Sequence, residues 1–134
     1  MDTNAPPSWN VYNQDCPTRM VLGRLADKWT VLVVGQLAHG TRRFGELRRE
    51  ITGISPKVLT QALRALERDG ILTRHVYASV PPKVEYTLTP LGRTLIDLVN
   101  AIYGWTESHI EAVLEAQQAF DQQTHEVELE QALA

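Results

Sequence analysis

Four side chains with the chemistry to read DNA bases recur along one short stretch of this sequence. They are Lys57, Thr60, Gln61 and Arg64. Glutamine can form paired hydrogen bonds with adenine, arginine or lysine can pair with guanine, and threonine can place its methyl group against thymine. At about 3.6 residues per helical turn, this spacing brings all four to one side of a helix. A helix over residues 55–69 would therefore present a surface that contacts base edges.

The segment that would carry these side chains has the start and stop signals of a helix. Ser55 is a suitable N-cap, because its hydroxyl can accept a hydrogen bond from an amide of the first turn. Pro56 fits the first helical position, and Gly70 most easily adopts the left-handed conformation after a last turn. Three leucines at helical spacing form the face that would be buried: Leu59, Leu63 and Leu66. A solvated surface helix would show the same pattern, so the neighbouring elements decide between the two interpretations.

The charges of the chain are separated along the sequence. All thirteen Lys and Arg residues lie between Arg19 and Arg93 with six acidic residues, which gives that segment a net charge of +7. From residue 94 onward there are eight acidic residues and no basic ones. This separation favours a body that binds a polyanion and a C-terminal region that does not. Chance clustering on a solvated surface is the alternative.

Composition excludes several classes of protein. At 134 residues with 43% hydrophobic residues, the chain is expected to form one domain with a substantial core. It has no run of about twenty apolar residues that would span a membrane. The polar, proline-broken start is unlike a signal or transit peptide, so we expect a cytoplasmic location. The single cysteine, Cys16, excludes an intrachain disulfide and a CxxC metal site.

The sequence lacks the usual patterns of catalysis. Its four histidines are scattered without metal-ligand spacing: His39, His75, His109 and His125. There is no Ser/His/Asp order, paired-carboxylate motif or glycine-rich phosphate loop. We therefore expect no enzyme, no catalytic residue, no metal and no cofactor.

The order of the remaining elements predicts the fold class. Apolar spacing indicates helices over three segments before the base-reading helix: residues 18–26, 28–38 and 44–51. Two β-rich runs, residues 71–76 and 84–88, form a hairpin around a Pro-Pro loop, and Thr89-Pro90 starts a long helix. This is the order of a winged helix-turn-helix, mainly α with a small β-hairpin wing (α+β). In that fold the second helix of the turn enters the major groove.

Six further side chains suit contacts with the DNA backbone, which position a protein without reading sequence. They are Arg42, Arg43, Arg48, Ser55, Arg74 and Lys83. Winged helices also serve as protein-interaction modules, so a module that does not touch DNA remains the alternative.

A set of spaced motifs makes the chain resemble the HxlR-type, MarR-like family of winged-helix regulators. The motifs are CP at 16–17, DKW at 27–29, RRFGEL at 42–47, ISPKVLTQ at 54–61, VPPKVEYTLTPLG at 80–92 and Trp105. The resemblance covers residues 16–109, about seven tenths of the chain. Two features depart from the family pattern: Asp27 replaces the usual glycine before Lys28, and an acidic tail follows residue 109.

The resemblance implies a homodimeric, bacterial transcriptional regulator with N- and C-terminal dimerisation helices. It is expected to act as a repressor at a palindromic double-stranded DNA operator. Residues 1–15 would form an arm, 16–109 the DNA-binding domain with the start of the dimerisation helix, and 110–134 the rest of that helix and the tail. An apolar stripe along the long helix independently needs a partner. The residues expected at the interface are Leu95, Leu98, Val99, Ile102 and Trp105. Two recognition helices would then lie about 34 Å apart.

Cys16 occupies the CP position through which some members of this family sense oxidants or electrophiles. It precedes the first helix, and Arg19 is near enough in sequence to stabilise a thiolate. The neighbouring carboxylate of Asp15 would instead raise the pKa of the thiol. A lone cysteine is also commonly just a small buried apolar residue. The sequence therefore leaves two kinds of effector open. One is an oxidant acting at Cys16, and the other is a small molecule held between the wing domain and the C-terminal helices with no redox role.

Overall fold

The computed structural model describes residues 8–134, so the first seven residues of the expected arm lie outside it. The described residues form six helices: α1 (Pro17–Leu25), α2 (Lys28–Leu37), α3 (Phe44–Glu50), α4 (Pro56–Arg68), α5 (Pro90–Arg93) and α6 (Ile96–Leu133). The same part of the chain has three strands: β1 (Arg42–Arg43), β2 (Leu72–Tyr77) and β3 (Lys83–Leu88). The chain divides into two compact units, one ending at Val99 and the other starting at Asn100. The fold is the winged helix-turn-helix that the order of elements predicts.

Helix α4 forms for the local reasons seen in the sequence. The Ser55 Oγ accepts a hydrogen bond from the Val58 amide at 3.1 Å, and Pro56 is the first helical residue. Gly70 follows the helix with a φ of +75°, in the left-handed region that glycine tolerates. One face of the helix is buried: Leu59, Ala62, Leu63 and Leu66. The predicted boundaries and buried face are therefore confirmed.

Helix α2 begins after Asp27, the residue that replaces the usual glycine of the family pattern. The Asp27 carboxylate accepts hydrogen bonds from the Trp29 amide at 2.9 Å and the Thr30 amide at 3.1 Å, which makes it the N-cap. The helix buries one side, where Val33, Val34 and Leu37 lie. Leu32, on another side of the helix, is exposed.

The sheet has one strand more than the predicted hairpin. β2 and β3 pair antiparallel, and β1 adds to the free edge of β3, giving the order β1-β3-β2. In β1, Arg42 pairs with Tyr86 and Arg43 with Glu85. A strand of two residues is too short to show an alternating pattern, so only its pairing with β3 identifies it.

The long C-terminal helix begins later than Thr89-Pro90 predicts and continues through the acidic tail. α5 is a single turn after Thr89, whose Oγ1 accepts from the Gly92 amide at 3.0 Å. Two short-range bonds, from Thr94 to Leu91 and from Leu95 to Gly92, then separate α5 from α6. Helix α6 runs on to Leu133, so the acidic tail is helical. None of the helices within residues 8–134 is long and apolar enough to cross a membrane.

The core lies where α2, α3 and α4 meet the inner face of the sheet. Its largest fully buried side chains are Leu47, Leu59, Leu66, Leu72, Val33 and Val34. Since α4 contributes its leucine face to this core, the opposite face of α4 must point outward. The core therefore determines which side chains of α4 are available to a partner.

Candidate nucleic-acid interface

The exposed face of α4 carries the four side chains with base-reading chemistry. Lys57, Gln61 and Arg64 are exposed, and Thr60 is partly exposed. At about 100° per residue, the four fall within an arc of about 100° opposite the leucine face. Arg68 lies on the same arc one turn further along and is also exposed. Arg68 was not among the predicted DNA contacts, although its helical spacing from Gln61 and Arg64 places it on the same face.

Helix α3 and the turn before α4 set the direction of that face. Leu47 of α3 and Ile54 of the turn are buried, which ties both segments to the core. Arg48, in the last turn of α3, is exposed. The Ser55 hydroxyl accepts the capping bond but keeps its own hydrogen for an acceptor such as a phosphate. The start of α4 also offers backbone amides that favour an anion.

Four of the predicted DNA backbone contacts lie on the strands, and the register of the sheet divides them between its two faces. They are Arg42, Arg43, Arg74 and Lys83. Residues directly opposite each other on neighbouring strands point to the same side. Arg42 and Arg74 both pair with Tyr86 and therefore share one face. Arg43 pairs with Glu85, and Lys83 is two residues before Glu85, so these two cations share the other face. All four were predicted as one group of backbone contacts, and the sheet separates them into two pairs.

Lys83 is held by neighbours on its own face. Its Nζ lies 3.1 Å from the Glu85 Oε1 and 5.2 Å from the centroid of the Tyr77 ring. The Tyr77 hydroxyl donates to the other Glu85 oxygen at 3.1 Å. The hydrogen bond from Lys83 is the main reason that the pKa of Glu85 lies below its ordinary value, and Tyr77 acts in the same direction. A DNA phosphate at Lys83 would therefore compete with an ionised carboxylate.

We expect Lys83→Ala to weaken binding to specific and random DNA alike, because a wing lysine would contact phosphate and not bases. The log–log dependence of affinity on salt should flatten by about one unit. Glu85→Gln should act in the opposite direction, since it removes the carboxylate that competes for Lys83. Fluorescence anisotropy titrations at several salt concentrations measure both effects. A loss confined to one DNA sequence would assign Lys83 to base reading instead.

Cys16 lies at the N-cap position of α1, partly exposed. Its Sγ is 2.9 Å from the Thr18 Oγ1 and accepts from the Asn10 amide at 3.3 Å. These hydrogen bonds, that from the Thr18 hydroxyl first, lower the pKa of the Cys16 thiol. The Arg19 guanidinium instead donates to the Tyr12 carbonyl at 3.3 Å. Thr18, and not Arg19 as predicted, thus stabilises the thiolate form of Cys16.

We expect Thr18→Val to raise the pH at which Cys16 becomes reactive. The hydroxyl stabilises the thiolate, so its removal raises the pKa and leaves less thiolate at a given pH below it. The rate of alkylation by iodoacetamide, followed from pH 6 to pH 10, should rise at a higher pH than in wild type. Thr18→Ser keeps the hydroxyl and is the control. Coincident profiles for wild type and Thr18→Val would contradict this role.

Four of the five side chains expected at a dimer interface are accessible in the single chain. Leu98, Ile102 and Trp105 are 50%, 41% and 58% exposed, and Leu95 is partly exposed. Val99 is the exception, with 4% of its side chain exposed. It belongs to the core of the first unit, because its position on α6 turns it away from the exposed stripe. A partner would therefore meet the other four residues and not Val99.

In the described part of the chain, no three His, Cys, Asp or Glu residues come together in a group that could hold a metal ion. Trp105 stacks on His109 with ring centroids 4.7 Å apart, which accounts for one histidine as a packing residue.

An exposed polar helix face on a helix-turn-helix scaffold, with a three-stranded wing beside it, defines a class of protein. That class is the winged helix-turn-helix transcriptional regulators, which bind DNA and are not enzymes. The chain belongs to the HxlR-like helix-turn-helix family, whose model matches residues 24–114. The resemblance seen in the motifs is therefore confirmed.

Similar proteins agree with this assignment. The HTH-type transcriptional regulator YtfH of Escherichia coli (strain K12) is 47% identical over 105 residues, which cover 78% of this chain and 83% of YtfH. The solved structure of a putative transcriptional regulator, ytfH from Salmonella typhimurium, gives a TM-score of 0.78 at 44% identity and covers 83% of this chain and 99% of that one. The solved structure of the redox regulator HypR in its oxidized form gives a TM-score of 0.64 at 44% identity. The match covers 69% of this chain and 96% of that one.

Proposed function

We propose that this protein is a homodimeric, sequence-specific repressor that occupies a palindromic operator. Helix α4 would enter the major groove with Lys57, Thr60, Gln61 and Arg64 toward the bases. The observation that carries this proposal is the exposed face of α4, polar and basic, directly opposite its buried leucines. The flanking cations and Ser55 would contact phosphates and so fix the register on the duplex.

The homodimer is supported by the apolar side chains that α6 leaves exposed. Leu98, Ile102 and Trp105 follow one another at spacings of four and three, which places them on one stripe of the helix. A second copy of the same stripe is the simplest partner, because a two-fold interface is self-complementary. We infer that residues 16–109 supply the DNA-binding domain with the first part of this helix, and residues 110–134 the remainder. The two α4 helices would then meet half-sites about 34 Å apart.

The proposed effector is an oxidant acting at Cys16. Two observations support this proposal: hydrogen bonds lower the pKa of the thiol, and a similar protein is named a redox regulator. With diamide, an Sγ–Sγ bond would form between the Cys16 residues of two protomers. The two electrons and two thiol protons pass to diamide, which is reduced to the hydrazine. A disulfide that links two protomers would change how their recognition helices are presented.

The test is a gel shift with DNA from the promoter region beside the protein's own gene. Wild type and Cys16→Ser are each compared reduced and diamide-treated, at two salt concentrations, with random competitor DNA. We expect a shift that resists the competitor, and a change on oxidation in wild type only. A non-reducing gel should show a covalent dimer of wild type after diamide.

Two results would contradict the proposal separately. If diamide changes the operator affinity of wild type and Cys16→Ser equally, the redox role of Cys16 is wrong while operator binding stands. If no shift appears in either state at low salt, the protein is a protein-interaction module on a DNA-binding scaffold.

A further inference from the structure

A cleft of about 330 Å³ lies along one flank of α4, between this helix and the turn that joins α1 to α2. Trp29 of α2 lines one side, and four residues of α4 line the other: Val58, Gln61, Ala62 and Ala65. Gln61 is also part of the exposed face of α4 that carries the base-reading side chains. The start of α2 therefore borders that face on this flank.

A cation at this border has no ionic partner among the described residues. Lys28, the first residue of α2, is exposed and forms no ion pair within residues 8–134. Its Nζ instead lies 4.6 Å from the centroid of the Trp29 ring, in the range of a cation–π interaction. Arg24, which also lines the cleft, already donates to the Asp69 carboxylate. Lys28 is therefore the cation that an anion would meet here.

A DNA backbone would pass this flank if α4 lay in the major groove. The groove is about 12 Å wide, and a helix with its side chains is about 10–12 Å across. A helix in the groove therefore has one sugar-phosphate backbone along each flank. The flank that carries Val58 and Ala65 faces the start of α2, so the backbone on this side would run beside Lys28. The six predicted backbone contacts include no residue of α1 or α2.

We propose that Lys28 contacts a DNA phosphate next to the bases read by α4, with the Trp29 ring as its support. The inference rests on the proposed function, because it requires α4 in the major groove. A lysine acts on a phosphate as a point charge and does not distinguish bases. Lys28 is therefore a positioning residue, which fixes how α4 is seated and adds affinity for any sequence.

Asp27 opposes this contact. Its Oδ1 accepts the bonds from the Trp29 and Thr30 amides that cap α2, which holds the carboxylate one residue from Lys28. A negative charge at this place repels the same phosphate. Asp27→Asn removes the charge and keeps a side-chain oxygen that can cap the helix. This variant should therefore bind operator and random DNA more tightly, by about twofold, which is the opposite of the effect of Lys28→Ala.

The first test is a set of fluorescence anisotropy titrations of the reduced full chain at several salt concentrations. The probes are the promoter fragment that shifts in the gel assay and random DNA of the same length. Lys28→Ala should weaken binding to both by about three- to tenfold at 0.1 M salt and reduce the salt slope by about one unit. Lys28→Arg should restore the slope. Arg93→Ala, which removes a charge from an exposed site on α5, is the matched control.

A second measurement locates the contact on the DNA. Operator duplexes carry a neutral methylphosphonate in place of one phosphate at a time across a half-site. One replacement beside the bases read by α4 should weaken wild-type binding about as much as Lys28→Ala does. The same replacement should cost the Lys28→Ala variant almost nothing, because both changes remove one shared contact.

Three results would overturn the inference while operator binding by wild type stands. The first is a Lys28→Ala variant that melts as wild type does and keeps its affinity and salt slope. The second is a cost of Lys28→Ala that adds to that of the methylphosphonate at every position. The third is an Asp27→Asn variant that folds as wild type does and binds DNA no more tightly. If wild type binds neither duplex, the proposed function itself fails, so the two failures are distinguishable.

Discussion

Gly92→Ala is expected to destabilise the folded protein by about 3 kcal/mol, near the upper end of the usual cost of overpacking. A Cβ at residue 92 would lie 2.0 Å from the Ile71 carbonyl oxygen and 3.1 Å from a methyl group of Leu88. The carbonyl cannot move away cheaply, because it accepts from the Thr89 amide at 3.0 Å and the Thr89 hydroxyl holds the adjacent Gly70 carbonyl at 2.6 Å. The added methyl group must therefore break the junction between α4, β3 and α5.

Urea denaturation followed by circular dichroism at one fixed protein concentration measures this free energy of unfolding. Gly23→Ala is the matched control, because a Cβ at Gly23 in α1 meets no described atom within 4 Å. Alanine favours a helix over glycine by up to about 1 kcal/mol, so the control should be neutral or stabilising. A Gly92→Ala variant as stable as wild type would mean that the Ile71 carbonyl does not approach residue 92.

Arg64→Ala is expected to cost about 1–3 kcal/mol at the operator, a loss of about 5- to 150-fold in affinity, and to relax specificity at one base position. Arg64 is exposed in the middle of α4, between the Gln61 and Arg68 side chains and opposite the buried leucines. An arginine at this place can form two hydrogen bonds with guanine. Truncation removes both bonds and leaves the guanine edge facing a gap, whereas the helix itself loses no core contact.

Titrations on the operator, on operators changed at each base pair in turn, and on random DNA measure this effect. Arg93→Ala removes the same charge from an exposed site on α5, outside the proposed interface, and is the control. It should reduce affinity only slightly and without preference for the operator. If Arg64→Ala lowers operator and random-DNA affinity by the same factor, the guanidinium contacts phosphate and the assignment to base reading is wrong.

The limits of α4, its outward face and the hairpin could be predicted from the sequence, because each depends on residues close together in the chain. The limits of α4 follow from Ser55, Pro56 and Gly70, each of which acts through its own backbone or the first turn of the helix. The outward position of Lys57 and Arg64 follows from their spacing relative to the leucines. The hairpin likewise follows from two β-rich runs around a proline pair. These are local signals, and the tertiary structure did not override them.

Other features depended on partners distant in the chain. Arg42 and Arg43 form a strand only because β3 lies beside them, and their pairing with Tyr86 and Glu85 sends the two guanidinium groups to opposite faces. The stripe on the long helix was predicted as one surface, yet Val99 is covered by the core and its neighbours are not. The periodicity of a helix shows which residues share a side but not which side meets the core.

The sequence by itself determined the winged helix-turn-helix class, the recognition helix and the placement of the basic charge. Only the tertiary structure decided that Arg24 pairs with Asp69, that Arg42 and Arg43 form a strand beside β3, and that Gly92 must have no side chain. The division has a physical reason. Helix caps and amphipathic faces depend on residues a few positions apart, whereas ion pairs, close approaches and pocket walls depend on segments that meet only after the chain has folded.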